Sequence, residues 1–224
     1  MRRNPAATLI NLLQGAAHFS ADIFPGSRDL FRALADGQTP HTLFITCADS
    51  RISTGMITQS EPGNLFVLRN IGNVVPAYGE MLGGVSAAIE YAVCALQVDT
   101  IIVCGHSDCG AMKALLEPDA NRLEEMPTVR SWLRNAEAAL AVTQALAPPA
   151  HARLETMIEQ NVLLQLAHLR THPSVAARIA EGALRLQGWC YDIRHGRIGV
   201  IDETSRRMLA IDEALERLHD EGAG

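Results

Sequence analysis

The sequence predicts an α/β fold: a mainly parallel central β-sheet with an antiparallel edge strand, flanked by helices. Three observations lead there. Short apolar runs alternate with longer helical patterns, the mark of β-α-β units. Three of those runs, Thr42 to Cys47 (TLFITC), Leu65 to Arg69 (LFVLR) and Thr100 to Cys104 (TIIVC), are nearly continuous in apolar residues, as strands covered on both faces must be. Near the end, Gly188 to Ile193 and Arg197 to Ile201 are separated only by Arg194, His195 and Gly196, too short a link for a parallel crossover and right for a hairpin.

The elements follow in order. Leu9, Leu12, Leu13 and Phe19 give residues 5–20 the pattern of an amphipathic helical arm. Two arginines precede it, but Asn11, Gln14 and His18 interrupt it, so it does not read as a secretory leader. After the second strand, Gly83 and Gly84 open VSAAIEYAVCALQV, whose small apolar residues fit a helix packed closely on the sheet. Another helix runs from about Gly110 to Leu116. From Pro127 to Gly182 the chain is helical: Ala147 to Ala150 (APPA) marks a break, Leu154, Met157, Ile158, Val162, Leu166 and Leu169 form one apolar stripe, and Pro173 suits a first helical turn. A charged amphipathic helix over about 212–220 follows the hairpin. With no repeat or linker, a single domain over residues 1–224 is expected.

Of the 224 residues 48% are hydrophobic and 20% charged, which excludes a disordered chain, and no apolar run approaches the roughly 20 residues of a membrane span. A net charge of −6 argues against nucleic acid or an anionic membrane as partner. Five cysteines cannot all pair, and with no leader pattern a reducing cytoplasm is expected, where thiols are core fillers, metal ligands or nucleophiles.

Ligands of open parallel sheets bind beyond the carboxyl ends of the strands. The first strand leads into Cys47-Ala48-Asp49-Ser50-Arg51, the third into Gly105-His106-Ser107-Asp108-Cys109-Gly110. Both segments leave the same edge, so Cys47, His106 and Cys109 can converge: two thiolates and an imidazole, a set suited to zinc with its fourth position free. Cys109 falls at a helix start, where free amides favour a thiolate. Gly105 and Gly110 allow the chain to approach a bound group closely. Asp49 and Arg51 can form an ion pair that competes with coordination of Asp49 to the metal. Taken singly, Cys47 would be an inert core thiol and Asp49–Arg51 an ordinary surface pair; the combination is what carries the reading. Cys94, Cys104 and Cys190 read as core thiols. His18, His151, His168, His172, His195 and His219 read as solvated or capping, and His41 lies before the first strand, at its far end from these residues.

CADSR followed by GHSDCG resembles the paired signatures of the β-class carbonic anhydrases. The likeness continues through GQTPHTLFITCADSR, EPGNLFVLRNIGNVVP, GGVSAAIEYAV, HPSV and GWCYDI, from about residue 20 to 203, and is strongest to the plant-type branch and its bacterial members encoded beside cyanase. The resemblance implies one zinc ion per subunit on Cys47, His106 and Cys109, with Asp49 and Arg51 as the dyad that keeps the fourth site open. It implies a CO2 pocket of Gln38 as hydrogen-bond donor, Phe66, Ile71 and Tyr91 as walls, and Gly110 beside them, shared across the interface of a homodimer or an assembly of dimers, with the N-terminal arm laid across the partner. Phe44 and Thr46 stand where the branch that holds an inhibitory bicarbonate has Trp and Gly, although Arg69 matches its arginine, so no such switch is expected. The implied reaction is hydration of CO2 to bicarbonate and a proton by attack of zinc-bound hydroxide. Rival readings are a CS2 or other heteroallene hydrolase, separable by assay; a closed structural zinc module, which needs a fourth protein ligand; and a regulatory relative, which is expected to have lost ligands.

Overall fold

The computed structural model describes residues 4–79 and 83–222. They form two compact units, Met1–Thr39 and Pro40–Gly224. In the first, α1 (Pro5–His18) starts where Asn4 accepts the Ala6 amide at 3.0 Å and Pro5 takes the first helical position. A π turn and a 3-10 turn lead to α2 (Arg28–Ala35), and Phe24 packs between Phe19 and Phe31. No residue of α1 is buried, and Leu9, Leu12 and Leu13 are each more than half exposed.

The second unit runs β1 (Thr42–Cys47), α3 (Thr54–Thr58), β2 (Leu65–Asn70), α4 (Gly84–Glu90), β3 (Thr100–His106), α5 (Gly110–Leu116), α6 (Pro127–Leu133), α7 (Glu137–Leu146), α8 (Arg153–Leu169) and α9 (Pro173–Ala180). It ends with β4 (Arg185–Asp192), β5 (Arg197–Asp202), β6 (Arg207–Ala210) and α10 (Ile211–Gly222). One sheet has the order β2-β1-β3-β4-β5-β6. Its first four strands are parallel, and β5 and β6 are antiparallel. Two antiparallel strands, β5 and then β6 at the edge, therefore follow β4 where one was expected. β6 has four residues, the first and last exposed, too few for its pattern to stand out.

β1 matches its sequence pattern end to end. β3 runs two residues past Cys104, because its pairing with β4 continues to His106 opposite Tyr191. β1 leads to β2 on one side, and the chain then crosses back to β3 on the other. The crevice beyond the carboxyl ends of β1 and β3 is thus the topological switch point, where α/β sheets place their ligands.

The apolar stripe of α8 is buried from Met157 to Leu169, each such side chain contributing roughly 1.5–3 kcal/mol. The helix presses so close that a Cβ on Gly105 of β3 would meet Val162 Cγ2 at 2.9 Å. One thiol departs from expectation: Cys94 is exposed. It lies in the π turn Tyr91–Ala95 that continues α4, which buries Ala92 and Val93 and turns Tyr91 and Cys94 outward. His172 takes the second of its two expected roles: it is the N-cap residue of α9, and it is buried rather than solvated. Among the described residues no helix is long and apolar enough to cross a membrane.

Candidate metal centre

β1 and β3 pair with Thr46 opposite Cys104, so the segments that follow them leave the sheet side by side. Cys47 ends β1 and His106 ends β3. Cys109 caps α5 after a turn at Asp108, whose φ of 61° is one that Asp tolerates. The ligating atoms of Cys47, His106 and Cys109 lie within 4.8 Å of one another, and all three residues are buried. His106 Nδ1 faces the Ser107 carbonyl at 2.9 Å and so carries the proton, leaving the lone pair on Nε2. That Nε2 is buried with no hydrogen-bond partner. A bare imidazole nitrogen beside two thiols fits a zinc ion.

The thiols are prepared for charge. A hydrogen bond from Cys109 pulls Cys47 below the usual thiol range; burial opposes it, and His106 and the Gly72 and Asp49 amides assist. Sharing with Cys47, and then burial, pushes Cys109 up. The two opposite directions describe one pair sharing a proton, which loses its first proton more readily than its second.

Arg51 grips Asp49 through Nε at 2.9 Å and Nη2 at 2.8 Å, with its own amide on Oδ1 at 3.0 Å. This grip holds the Asp49 carboxyl well below the usual carboxylate range. Asp49 Oδ2 is 3.9 Å from His106 Nε2, so the carboxylate faces the ligand cluster. The dyad is larger than the sequence suggested: Arg51 Nη1 also donates to Asp108 at 3.0 Å, and Asp108 pairs with Lys113. Acidic Asp108, set between two ligands in sequence, was the available signal. Arg69 donates to the carbonyls of Cys47 at 3.1 Å and Asp49 at 2.6 Å, bracing the backbone of this segment. Phe44 is fully buried and meets Trp189 edge-on at 5.8 Å.

Of the remaining site residues, Phe66 and Tyr91 lie together, their ring centroids 6.0 Å apart, with Tyr91 half exposed. Ile71 is 43% exposed just beyond β2. Gly110 opens α5 directly after Cys109. Gln38 belongs to the N-terminal unit, exposed in the stretch after α2. A cleft of about 370 Å³ borders Arg51, Asp108, Asp192 and His195.

The family model for carbonic anhydrase matches residues 42–198, a span that includes every metal-ligand candidate. The chain belongs to the carbonic anhydrase family. A carbonic anhydrase of Pseudomonas aeruginosa is 48% identical over 207 residues, covering 92% of this chain and 93% of the relative. Carbonic anhydrase 1 of Escherichia coli O157:H7 is 45% identical over 201 residues, 89% and 91% of the two chains. Among solved structures, the β-carbonic anhydrase CcaA superposes with a TM-score of 0.87 at 41% identity over 91% of this chain and 92% of its own. A tetrameric β-carbonic anhydrase from Sordaria macrospora gives 0.74 at 28%, over 87% and 97%. The fold is therefore that of a β-class carbonic anhydrase, a carbonate dehydratase that hydrates CO2 reversibly to bicarbonate and a proton, and the Cys47, His106 and Cys109 group fits a zinc site.

Proposed function

We propose that one zinc ion per subunit is held by Cys47, His106 and Cys109, and that Asp49 with Arg51 leaves its fourth position free for water. The observation that carries this reading is the buried, unpartnered Nε2 of His106 within 4.8 Å of two cysteine sulfurs. When bound, zinc supplies the Lewis acidity that ionises a water at neutral pH. Two thiolates and a neutral imidazole balance the charge of the ion. Asp49, kept ionised and turned by Arg51, accepts a hydrogen bond from that water and orients it rather than coordinating the metal. CO2 is linear and has no net dipole, so Phe66, Ile71 and Tyr91 suit it as walls, Gln38 donates to one of its oxygens, and Gly110 allows close approach.

The pocket is completed in a homodimer or an assembly of dimers. The exposed apolar residues of α1 support this, since a monomer gains nothing by presenting Leu9, Leu12 and Leu13 to water. On this reading the N-terminal unit is an arm of one domain over residues 1–224, and the enzyme works in the cytoplasm on CO2 and bicarbonate, with neither nucleic acid nor membrane as partner. The plant-type assignment is supported by Phe44, fully buried against Trp189, and by Arg69, whose Nε and Nη2 are committed to the Cys47 and Asp49 carbonyls.

Stopped-flow CO2 hydration on the zinc-loaded native chain and on Cys47→Ser tests the assignment. The native protein should far outpace buffer, and the variant should lose both metal and rate. A variant with full zinc and full rate would remove Cys47 from the ligand set.

A further inference from the structure

Beyond β2 the chain passes the metal centre as a strap, from Ile71 to Pro76, and α8 holds it with polar side chains. Asn161, Gln165, His168 and His172 follow one another at four-, three- and four-residue steps, on the face of α8 and at the start of α9. Asn161 Nδ2 donates to the Gly72 carbonyl at 3.0 Å. Gln165 accepts the Val75 amide at 2.8 Å and donates to Asn161 Oδ1 at 2.9 Å. His168 and His172 meet the carbonyls of Val75 and Pro76 at 2.7 and 3.1 Å. From the other side, Trp132 Nε1 donates to the Ile71 carbonyl at 2.8 Å.

The strap reaches the ligands through one group. The Gly72 amide, which shares its peptide plane with the Ile71 carbonyl, points at Cys47 Sγ at 3.4 Å. Gly72 has φ +78° and a Cβ there would meet Ala111 Cβ at 3.0 Å, while Asn73 follows at φ 48°. Gly and Asn are the residue types that tolerate two successive left-handed positions, and hydrogen bonds on both sides select that conformation here. Trp132 fixes the peptide before Gly72, and Asn161 fixes the peptide after it.

We infer that Trp132 and Asn161 are positioning residues for the metal centre, aiming the Gly72 amide at the Cys47 thiolate and so limiting the charge that sulfur gives to the ion. A hydrogen bond to sulfur lowers the energy of its lone pairs, and a carbonyl bonded to Trp132 makes the N–H of the same peptide a stronger donor. With that amide in place, Cys47 would leave a bound ion more electrophilic than two unmodified thiolates would. The polar face of α8 is in this sense part of the active site, although none of its side chains touches a ligand atom.

The inference rests on the zinc assignment above, and the experiment separates the two. Trp132→Phe removes the indole N–H at a partly exposed position, and Asn161→Leu removes the amide at a buried one. Each variant is prepared with cobalt and with zinc. The sulfur-to-cobalt charge-transfer band should move to longer wavelength in both variants, and chelator competition should show zinc binding weakened about tenfold, the lower end of the usual effect of groups behind a ligand. A band and an affinity unchanged in Trp132→Phe, with only the melting temperature lowered, would overturn the positioning role. Absence of any sulfur-to-cobalt band in the native protein would instead overturn the ligand set. Should Asn161→Leu fail to fold, NMR of the native protein loaded with magnetically active cadmium decides: coupling from the metal through Cys47 Sγ to the Gly72 amide proton is expected, and its absence counts against the proposal.

Discussion

Cys47 and Cys104 lie on adjacent strands, one step apart in register, and the protein treats their sulfurs in opposite ways. At the carboxyl end of β1, Cys47 meets Cys109, His106 and the Gly72 amide, and its thiol is pulled down towards charge. Inside β3, Cys104 is surrounded by Phe44, Ile102 and their neighbours, and burial pushes its thiol up to about 12. Cys190 shares the second fate: burial raises it first, and Cys104 and Glu159 add to the effect. Both regions exclude water. The difference is in the number of partners. Cys47 has lowering hydrogen bonds from Cys109, His106 and the Gly72 and Asp49 amides, whereas Cys104 has only that of Thr46, which burial outweighs. Burial alone therefore does not decide what a thiol can do.

The widest separation between the two regions should come from matched substitutions. Cys109→Ser should bring CO2 hydration close to the buffer rate, with zinc content by elemental analysis well below one per subunit. Cys104→Ala should keep zinc and rate and cost only about 1 kcal/mol in a denaturant titration, like the loss of one buried methyl-sized group. Equal loss of metal in both would erase the distinction. A smaller effect is expected where the site's charge is organised rather than supplied: Arg51→Ala should retain zinc but lower kcat/KM by about 10- to 100-fold, as Asp49 loses its two-point hold. Full zinc with unchanged kcat/KM would show that Asp49 orients itself.

The smallest effect tests the uncompensated region. Glu159 borders a cleft of about 780 Å³ beside Cys190, and burial, then Glu155, raises its pKa above the ordinary value. The folded chain therefore keeps this proton to higher pH than the unfolded chain, whose glutamate ionises near about 4.3. Stability falls as pH rises from there through the folded value, and the deficit persists above it. Glu159→Gln should remove that decline: its melting curve should match the parent's near about pH 4 and lie above it near about pH 7. Parallel curves across the range would mean that this cleft solvates charge as well as open surface does.

The convergence of Cys47, His106 and Cys109 was legible in the sequence because strand ends can be read from local pattern and parallel pairing does the rest. β1, β3 and the residues beyond them needed no knowledge of distant partners. The polar face of α8 was not legible for the opposite reason. Asn161, Gln165, His168 and His172 resemble a solvated helix face until the strap from Ile71 to Pro76 is laid against them, and nothing local announces that contact. Cys94 misled in the reverse direction, since an apolar run on both faces of a short helix does not say which face the sheet takes. Asp108 and Lys113 were visible as charges, but their link to Arg51 depends on the left-handed turn at Asp108.

Thr46 donates its buried hydroxyl to the Cys104 carbonyl at 2.9 Å, a bond that spans 58 positions of chain. Helical segments can form as soon as their own residues meet, but this bond and the grouping of Cys47 with His106 and Cys109 beside it wait for β1 and β3 to close a long loop. Until then the chain offers a lone cysteine at one place and His106 with Cys109 at another, each a weaker chelator than the three together. On the proposed ligand set, a metal would therefore be held tightly only once that long-range pairing has formed.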